Sequence, residues 1–279
     1  MGPSVLWEEI MARTRRIKLD GDMNYHVMSR TNDRQFLFKS DSVKTELADA
    51  LRRAAAFCGV ALKAYAVMDN HFHAIVRVTK PRGPVGANEL LRRVGILRGE
   101  RAMHSLATRW AGLAAAGLDA TLAAEQNRFR SRMHDVSEFV KLFKEEFNRA
   151  YKRGRRYCGS LWSGRFRSTM VEDGVCLARC IRYVVYNPVR AGIVTRAKDY
   201  RWSWCEDDAK DAAFAGAVPG EWHLKRVAQI GAGKVFGSLR FVAEMVLAQS
   251  KLFRPGICAH PVGTIGHSTH GWRLANTAA

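Results

Sequence analysis

No Cys-x-x-Cys pair and no regular spacing occurs among the six cysteines, at 58, 158, 176, 180, 205 and 258. A disulfide framework and a zinc knuckle are therefore not what organises this chain. Cys176 and Cys180, one helical turn apart, read as small core residues. No stretch approaches the roughly 18 uncharged apolar residues of a membrane span. The start, Met1-Gly2-Pro3-Ser4-Val5-Leu6-Trp7-Glu8-Glu9, lacks the charged segment leading into an apolar one that marks a secretory signal. Leu6 stands where a myristoylation motif needs Ser or Thr. These absences lead us to expect a cytoplasmic protein.

Acidic residues are scarce against basic ones, 26 to 45, and the formal net charge is +19. Such a field favours polyanions, and nucleic acid is the first candidate. An anionic membrane surface would call for a basic helix backed by large apolar residues. The basic clusters here interleave with aromatics and glycines instead, so no membrane partner is expected. At 279 residues and 47% hydrophobic composition, the chain has ample material for a packed core.

Taken in order, a basic N-terminal arm (1–19, with Arg13, Arg15, Arg16 and Lys18) precedes a strand at Tyr25-His26-Val27-Met28-Ser29-Arg30, ended by Asn32-Asp33. Apolar residues at helical spacing predict a helix from about Val43 to Phe57, capped by Ser40, Asp41 or Ser42 and stopped by Gly59. Ala61 to Met68 reads as a second strand and joins a third through a turn at Asp69-Asn70. Lys80-Pro81-Arg82-Gly83-Pro84 breaks regular structure. Residues 88–134 look helical, with Gly112 and Gly117 as separators, and their polarity suggests an appended subregion. A helix from Val136 to about Ala150 follows, with Asp135 as N-cap and Glu138 completing a capping-box-like start. Arg165 to Val171 is the next strand, and a helix from about Gly174 to Tyr186 ends before Asn187-Pro188. Asp199 to Trp204 is an aromatic stretch read as packing. A modest helix is expected at Leu239 to Gln249. His260, His267 and His270 match no familiar metal spacing.

Three stretches carry chemistry. In Asp69-Asn70-His71-Phe72-His73-Ala74-Ile75-Val76-Arg77-Val78 the alternation puts His71 and His73 on one face of a strand, about 7 Å apart at Cα, and Phe72, Ala74 and Val76 on the other. Two imidazoles so placed can share a cation, although such a triplet alone is more often a half-exposed strand. Arg149, Lys152, Arg153, Arg155, Arg156, Arg165 and Arg167 form a run without one acid, interleaved with Tyr151, Tyr157, Trp162 and Phe166. Cations for phosphates and rings for unstacked bases suit single-stranded nucleic acid; the bland alternative is a solvated basic loop with its aromatics in the core. Tyr183 and Asn187 lie four residues apart, on one helix face. A tyrosine beside a divalent cation is a plausible nucleophile on a phosphate, because a phosphotyrosine conserves the bond for rejoining.

The ordered set Tyr25-His26-Val27-Met28-Ser29-Arg30, Met68-Asp69-Asn70-His71-Phe72-His73, Leu161-Trp162-Ser163-Gly164-Arg165-Phe166-Arg167-Ser168 and Arg182-Tyr183-Val184-Val185-Tyr186-Asn187-Pro188-Val189-Arg190-Ala191-Gly192 resembles the single-tyrosine HUH transposases (the IS200-like superfamily), especially the REP-associated tyrosine transposases. The resemblance covers roughly residues 20–205, with a longer insertion at about 80–135; residues 206–279 form an extension of unknown role. It implies an α+β, ferredoxin-like antiparallel sheet with helices packed on one face, in agreement with the element order. It also implies His71, His73 and Asn187 as ligands of Mg²⁺ or Mn²⁺, and Tyr183 rather than Tyr186 as the nucleophile. His26 and Arg30 match the first-strand motif and are expected to contact DNA or support the site. Asp69 stands where the family usually has proline; turn capping is the favoured role, with an added metal role as the alternative.

The resulting expectation is a metal-dependent transposase and nickase. It would cleave and rejoin single-stranded DNA at hairpin or repetitive palindromic elements through a 5′-phosphotyrosine, as a monomer or homodimer. Arg149, Lys152, Arg153, Arg155, Arg156, Trp162, Arg165 and Arg167 would hold the strand. The rivals are a non-catalytic DNA-binding protein of the same fold and an RNA-binding module, which would need aromatics on the open sheet face.

Overall fold

The computed structural model describes residues 21–81, 83–153, 155, 157–206, 227–230, 233–238 and 240–245. The arm at 1–19, Arg82, Arg156 and the histidines at 260, 267 and 270 lie outside the described residues. Two compact units divide the chain, residues 20–218 and the two terminal stretches.

In the larger unit the order is β1 (Met23–Arg30), α1 (Asp41–Cys58), β2 (Val60–Val67), β3 (His71–Val78), α2 (Ala87–Arg98), α3 (Glu100–Ala115), α4 (Asp119–Arg130), α5 (Val136–Lys152), β4 (Arg167–Val171), α6 (Val175–Val185), α7 (Asn187–Arg190) and β5 (Ser203–Cys205). The strands stand in the order β5-β2-β3-β1-β4, and every pairing among them is antiparallel. The β1-α1-β2-β3-α5-β4 core is the ferredoxin-like arrangement expected. β5 adds a further strand outside β2, within the stretch read as packing. That stretch packs as well, Trp204 stacking on Tyr65 at 5.9 Å.

Alternation in β1 and β3 separates two faces. Tyr25 and Val27 on β1 and Phe72, Ala74 and Val76 on β3 are buried and meet the apolar stripes of α1 (Leu47, Leu51, Ala54) and α5 (Phe139, Phe143, Phe147). Phe72 and Phe143 meet edge to face at 4.9 Å. The opposite face carries α6, whose buried side is Leu177, Cys180, Ile181, Val184 and Val185. Ala64 and Ala66, paired with Ile75 and His73, present only methyl groups on this face, and such small residues let a helix approach the sheet closely.

Local signals explain most element ends. The Ser40 side chain accepts from Val43 N, and Gly59 closes α1 in the left-handed conformation at φ 64°. Asp135 accepts from the amides of Ser137 and Glu138. The Glu138 carboxylate does not return to the cap; it pairs with Arg132 at 3.3 Å, a charge-assisted bond that outcompetes a neutral amide. Gly112 is interior to α3, and the break between α2 and α3 falls at Gly99, whose φ of 89° suits glycine. Gly117, at φ 67°, does separate α3 from α4. Cys180 is fully buried, whereas Cys176 is only half-buried. In the smaller unit, β6 (Val227–Ile230) and β7 (Gly233–Phe236) form an antiparallel hairpin, and residues 240–245 are helical. The rest of the predicted helix at 239–249 lies outside the described residues.

Phe143 has no exposure and touches Phe72, Phe147 and Trp162. Phe143→Ala is expected to cost about 3–5 kcal/mol, read as a lower urea midpoint at unchanged slope. A loss under 1 kcal/mol would refute this account of the core.

Candidate active site

The pairing of β1 with β3 sets Arg30 opposite His71 and Met28 opposite His73. His71, His73, His26 and Arg30 therefore project from one face, and α6 delivers Tyr183 to it. The Tyr183 ring lies edge-on to His73 at 5.8 Å and to His26 at 5.9 Å between centroids. One turn on, Asn187 begins α7, where Pro188 occupies the first turn without needing an amide partner. Tyr186 is buried and carries the Arg182 guanidinium over its ring.

Hydrogen bonds fix both ring tautomers. Asn70 Nδ2 donates to the Arg34 carbonyl, so its Oδ1 is the atom facing His71 Nδ1 at 2.7 Å. His71 Nδ1 must carry the proton, and Nε2 keeps its lone pair. Asn187 Nδ2 lies 3.3 Å from His73 Nε2 and donates to it. His73 Nδ1 then donates to His26 Nε2 at 2.9 Å. His71 Nε2 thus keeps its lone pair, and the Nε2 lone pair of His73 accepts from the Asn187 amide.

Burial keeps the cluster neutral. His26 and His71 are both pushed down to about 4, chiefly by loss of water, with the Arg30 charge adding to the effect on His71. His73 is held well below the usual range by burial and then by His26, His71, Arg30 and Arg190. Arg190 lies over the Tyr183 ring at 5.1 Å. Among the described residues no three His, Cys, Asp or Glu side chains are grouped to hold an ion. The donors here are two neutral imidazoles and the side-chain amide of Asn187, which lies against His73 Nε2. Each imidazole has its second nitrogen held by a separate partner, the usual arrangement around a bound cation. The set fits a divalent ion.

The remaining candidates divide. Arg149, Lys152, Arg153, Arg155, Arg165 and Arg167 are exposed. Arg149 is paired with Glu146 at 2.6 Å, and Arg155 bonds the Tyr151 carbonyl. Arg156 is outside the described residues. Trp162 is not a stacking surface: it is 5% exposed, wedged among Phe38, Phe72, Phe143 and Phe147, with Nε1 on Asn148. Tyr151 and Phe166 are buried too. Burying rings of this size outweighs leaving them for a ligand, so the basic segment keeps its cations in water and its aromatics in the core, apart from the half-buried Tyr157. His26, buried and bonded to His73, supports the site and offers no surface to DNA. Asp69 pairs with the buried Lys44 at 2.7 Å and takes no place among the ligands. For His26 the supporting role is the one of its two expected roles that the geometry favours; the parts of Asn70 and Arg190 were not read from the sequence, Asn70 being bonded to a loop carbonyl 36 residues earlier and Arg190 lying over the Tyr183 ring.

Residues 21–86 match the model of the family described as "Transposase IS200 like". The resemblance read from the motifs is borne out over this IS200-like region, which holds β1 to β3 and both histidines. A DNA-processing transposase is the class of activity the match supports. No curated protein matches the sequence. A solved structure described as "Structure of the REP associates tyrosine transposase bound to a REP hairpin" is 17% identical at a TM-score of 0.46, over 75% of this chain and 94% of that one. Among the described residues no helix is long and apolar enough to cross a membrane.

With folded values near 4 for His26 and His71 against 6.5 for the ordinary side chain, the unfolded chain takes up protons first as pH falls. Stability is therefore full above about pH 6.5 and declines steadily towards pH 4. Chelator-treated protein should show a falling urea midpoint between pH 7 and 4.5; a flat profile would contradict the neutral cluster.

Proposed function

We propose that the chain is a metal-dependent DNA transposase and nickase that cuts and rejoins single-stranded DNA through a covalent phosphotyrosine. The observation that carries this reading is the convergence of Tyr183 on the His73 ring with Asn187 on its Nε2. A ligand set and a nucleophile meet in a neutral pocket, with Arg30 and Arg190 beside it. Neither arginine has a carboxylate partner among the described residues, which leaves both charges for phosphate oxygens.

His71, His73 and Asn187 would hold Mg²⁺ or Mn²⁺. When bound, such an ion supplies Lewis-acid polarisation of the scissile phosphate. Tyr183 Oη attacks phosphorus, losing its proton to solvent. The bond from phosphorus to O3′ breaks, and O3′ takes a proton. The products are a 5′-phosphotyrosine and a free 3′ hydroxyl, and rejoining runs the same exchange backwards. His26 and Asn70 keep the imidazoles in the tautomers described and act on no substrate atom. The 5′ polarity and the preference for hairpin or repetitive palindromic DNA follow the motif resemblance. Arg167, on the histidine face of β4, and the exposed Lys152, Arg153 and Arg165 are the strand-holding cations in this reading.

An RNA-binding module would place aromatics on the open sheet face. The face opposite the α1–α5 layer carries His26, Met28 and Arg30 on β1 and His71 and His73 on β3, with α6 over part of it.

Incubation with labelled single-stranded hairpin DNA and Mn²⁺ should give an adduct that survives denaturation and is absent in Tyr183→Phe. An undiminished adduct in that variant would sink the assignment. His71→Ala should abolish cleavage and leave DNA binding within about two-fold, since it removes a ligand and not a phosphate contact. Asn70→Ala should weaken Mn²⁺ binding about 10- to 100-fold by calorimetric titration; unchanged affinity would show that Asn70 does not position His71.

A further inference from the structure

Among the described residues, Phe36 is the phenylalanine left in solvent, at 60% exposure. It sits in the segment between β1 and α1, which is tied along its length to the turn before His71. Thr31 N donates to the Asn70 carbonyl at 2.8 Å, and Phe38 N to the Asp69 carbonyl at 2.8 Å. Between those anchors the Asn70 side chain donates to the Arg34 carbonyl at 3.1 Å and faces His71 with its oxygen. One amide therefore holds both the Phe36 segment and a candidate metal ligand. Phe38 is buried against Phe147 and Trp162, so the segment has its own apolar anchor and Phe36 is surplus to it. Asp33 and Arg34 stand in the left-handed region at φ 50° and 55°. Such conformations are costly for residues with side chains, and at Arg34 the conformation accompanies the carbonyl's bond to Asn70.

The surroundings of the ring are cationic. Lys39 Nζ lies 5.2 Å from its centroid, Arg34 is exposed two residues before it, and Arg30 ends β1 beside His71. The acids nearby are Asp33, which accepts from the Asn32 amide, Asp69, which is paired with Lys44, and Asp41, exposed in the first turn of α1. A single flat ring among cations is too small for an apolar protein partner but has the area of one base. In a duplex the base faces are already stacked, so an unpaired base is the occupant.

We propose that Phe36 is a stacking platform for an unpaired base of single-stranded DNA next to the cleavage site, with Arg34 and Lys39 on the adjoining phosphates. The proposal takes from the strand-transfer reading only the identity of the strand. Phe36 is exposed, so its replacement leaves the core intact, which far-UV circular dichroism checks. The test measures binding of a fluorescein-labelled oligothymidylate and of a mixed-sequence duplex of equal length by anisotropy, without added metal. Phe36→Ala and Phe36→Leu should weaken single-strand binding about 5- to 100-fold, Phe36→Trp should restore it, and duplex binding should be unchanged in all three. Wild-type affinity in both Phe36→Ala and Phe36→Leu overturns the platform while leaving the Tyr183 chemistry standing. Equal losses on the duplex overturn it as well. Failure of the unaltered protein to bind the single strand overturns the platform and the strand-transfer reading together.

Discussion

The pairing of β1 with β3 is the constraint on which the rest depends. Strand side chains alternate, so a slip of one residue would turn His71 and His73 into the core and Phe72 into water. What prevents the slip is not the polar site. Phe72, Ala74 and Val76 are without exposure on the other face, and burial of the larger of these is worth about 1.5–3 kcal/mol each. The hydrophobic layer under α1 and α5 sets the register, and the imidazoles inherit their direction from it.

A buried polar cluster is stable only if its atoms find partners. Here both nitrogens of His73, Nδ1 of His71 and Nε2 of His26 are matched in chains that run from Arg34 through Asn70 to His71, and from Asn187 through His73 to His26. No carboxylate enters it. Carboxylates at this place would repel a polyanion. Neutral donors inside and the guanidinium groups of Arg30 and Arg190 beside them favour a polyanion instead.

Much of this was legible in the residues. Period-two alternation put the histidines on one face, four-residue spacing put Tyr183 and Asn187 on another, and Ser40, Gly59 and Asp135 marked helix ends by their own chemistry. Three things were not. The partner of His26 is 47 residues away and follows from a register that local pattern does not give. The rings at Tyr151, Trp162 and Phe166 look the same in sequence whether they meet a base or a core, and only the packing of α5 decides. β5 is three residues long, too short for alternation to register, and it forms because the edge of β2 is open to it.

The Asp69 turn has a further consequence, for the order in which the molecule becomes competent. Lys44, paired to Asp69, lies beneath the rings of Tyr200 and Trp202, and the Tyr200 hydroxyl donates to the Val67 carbonyl at 2.6 Å. The turn that aims His71 is thus clamped by residues made more than a hundred positions later, and Tyr183 itself arrives almost as late. A chain emerging from the ribosome carries both histidines, with His26 and Asn70 that bond them, long before it owns the Tyr200 and Trp202 rings over Lys44.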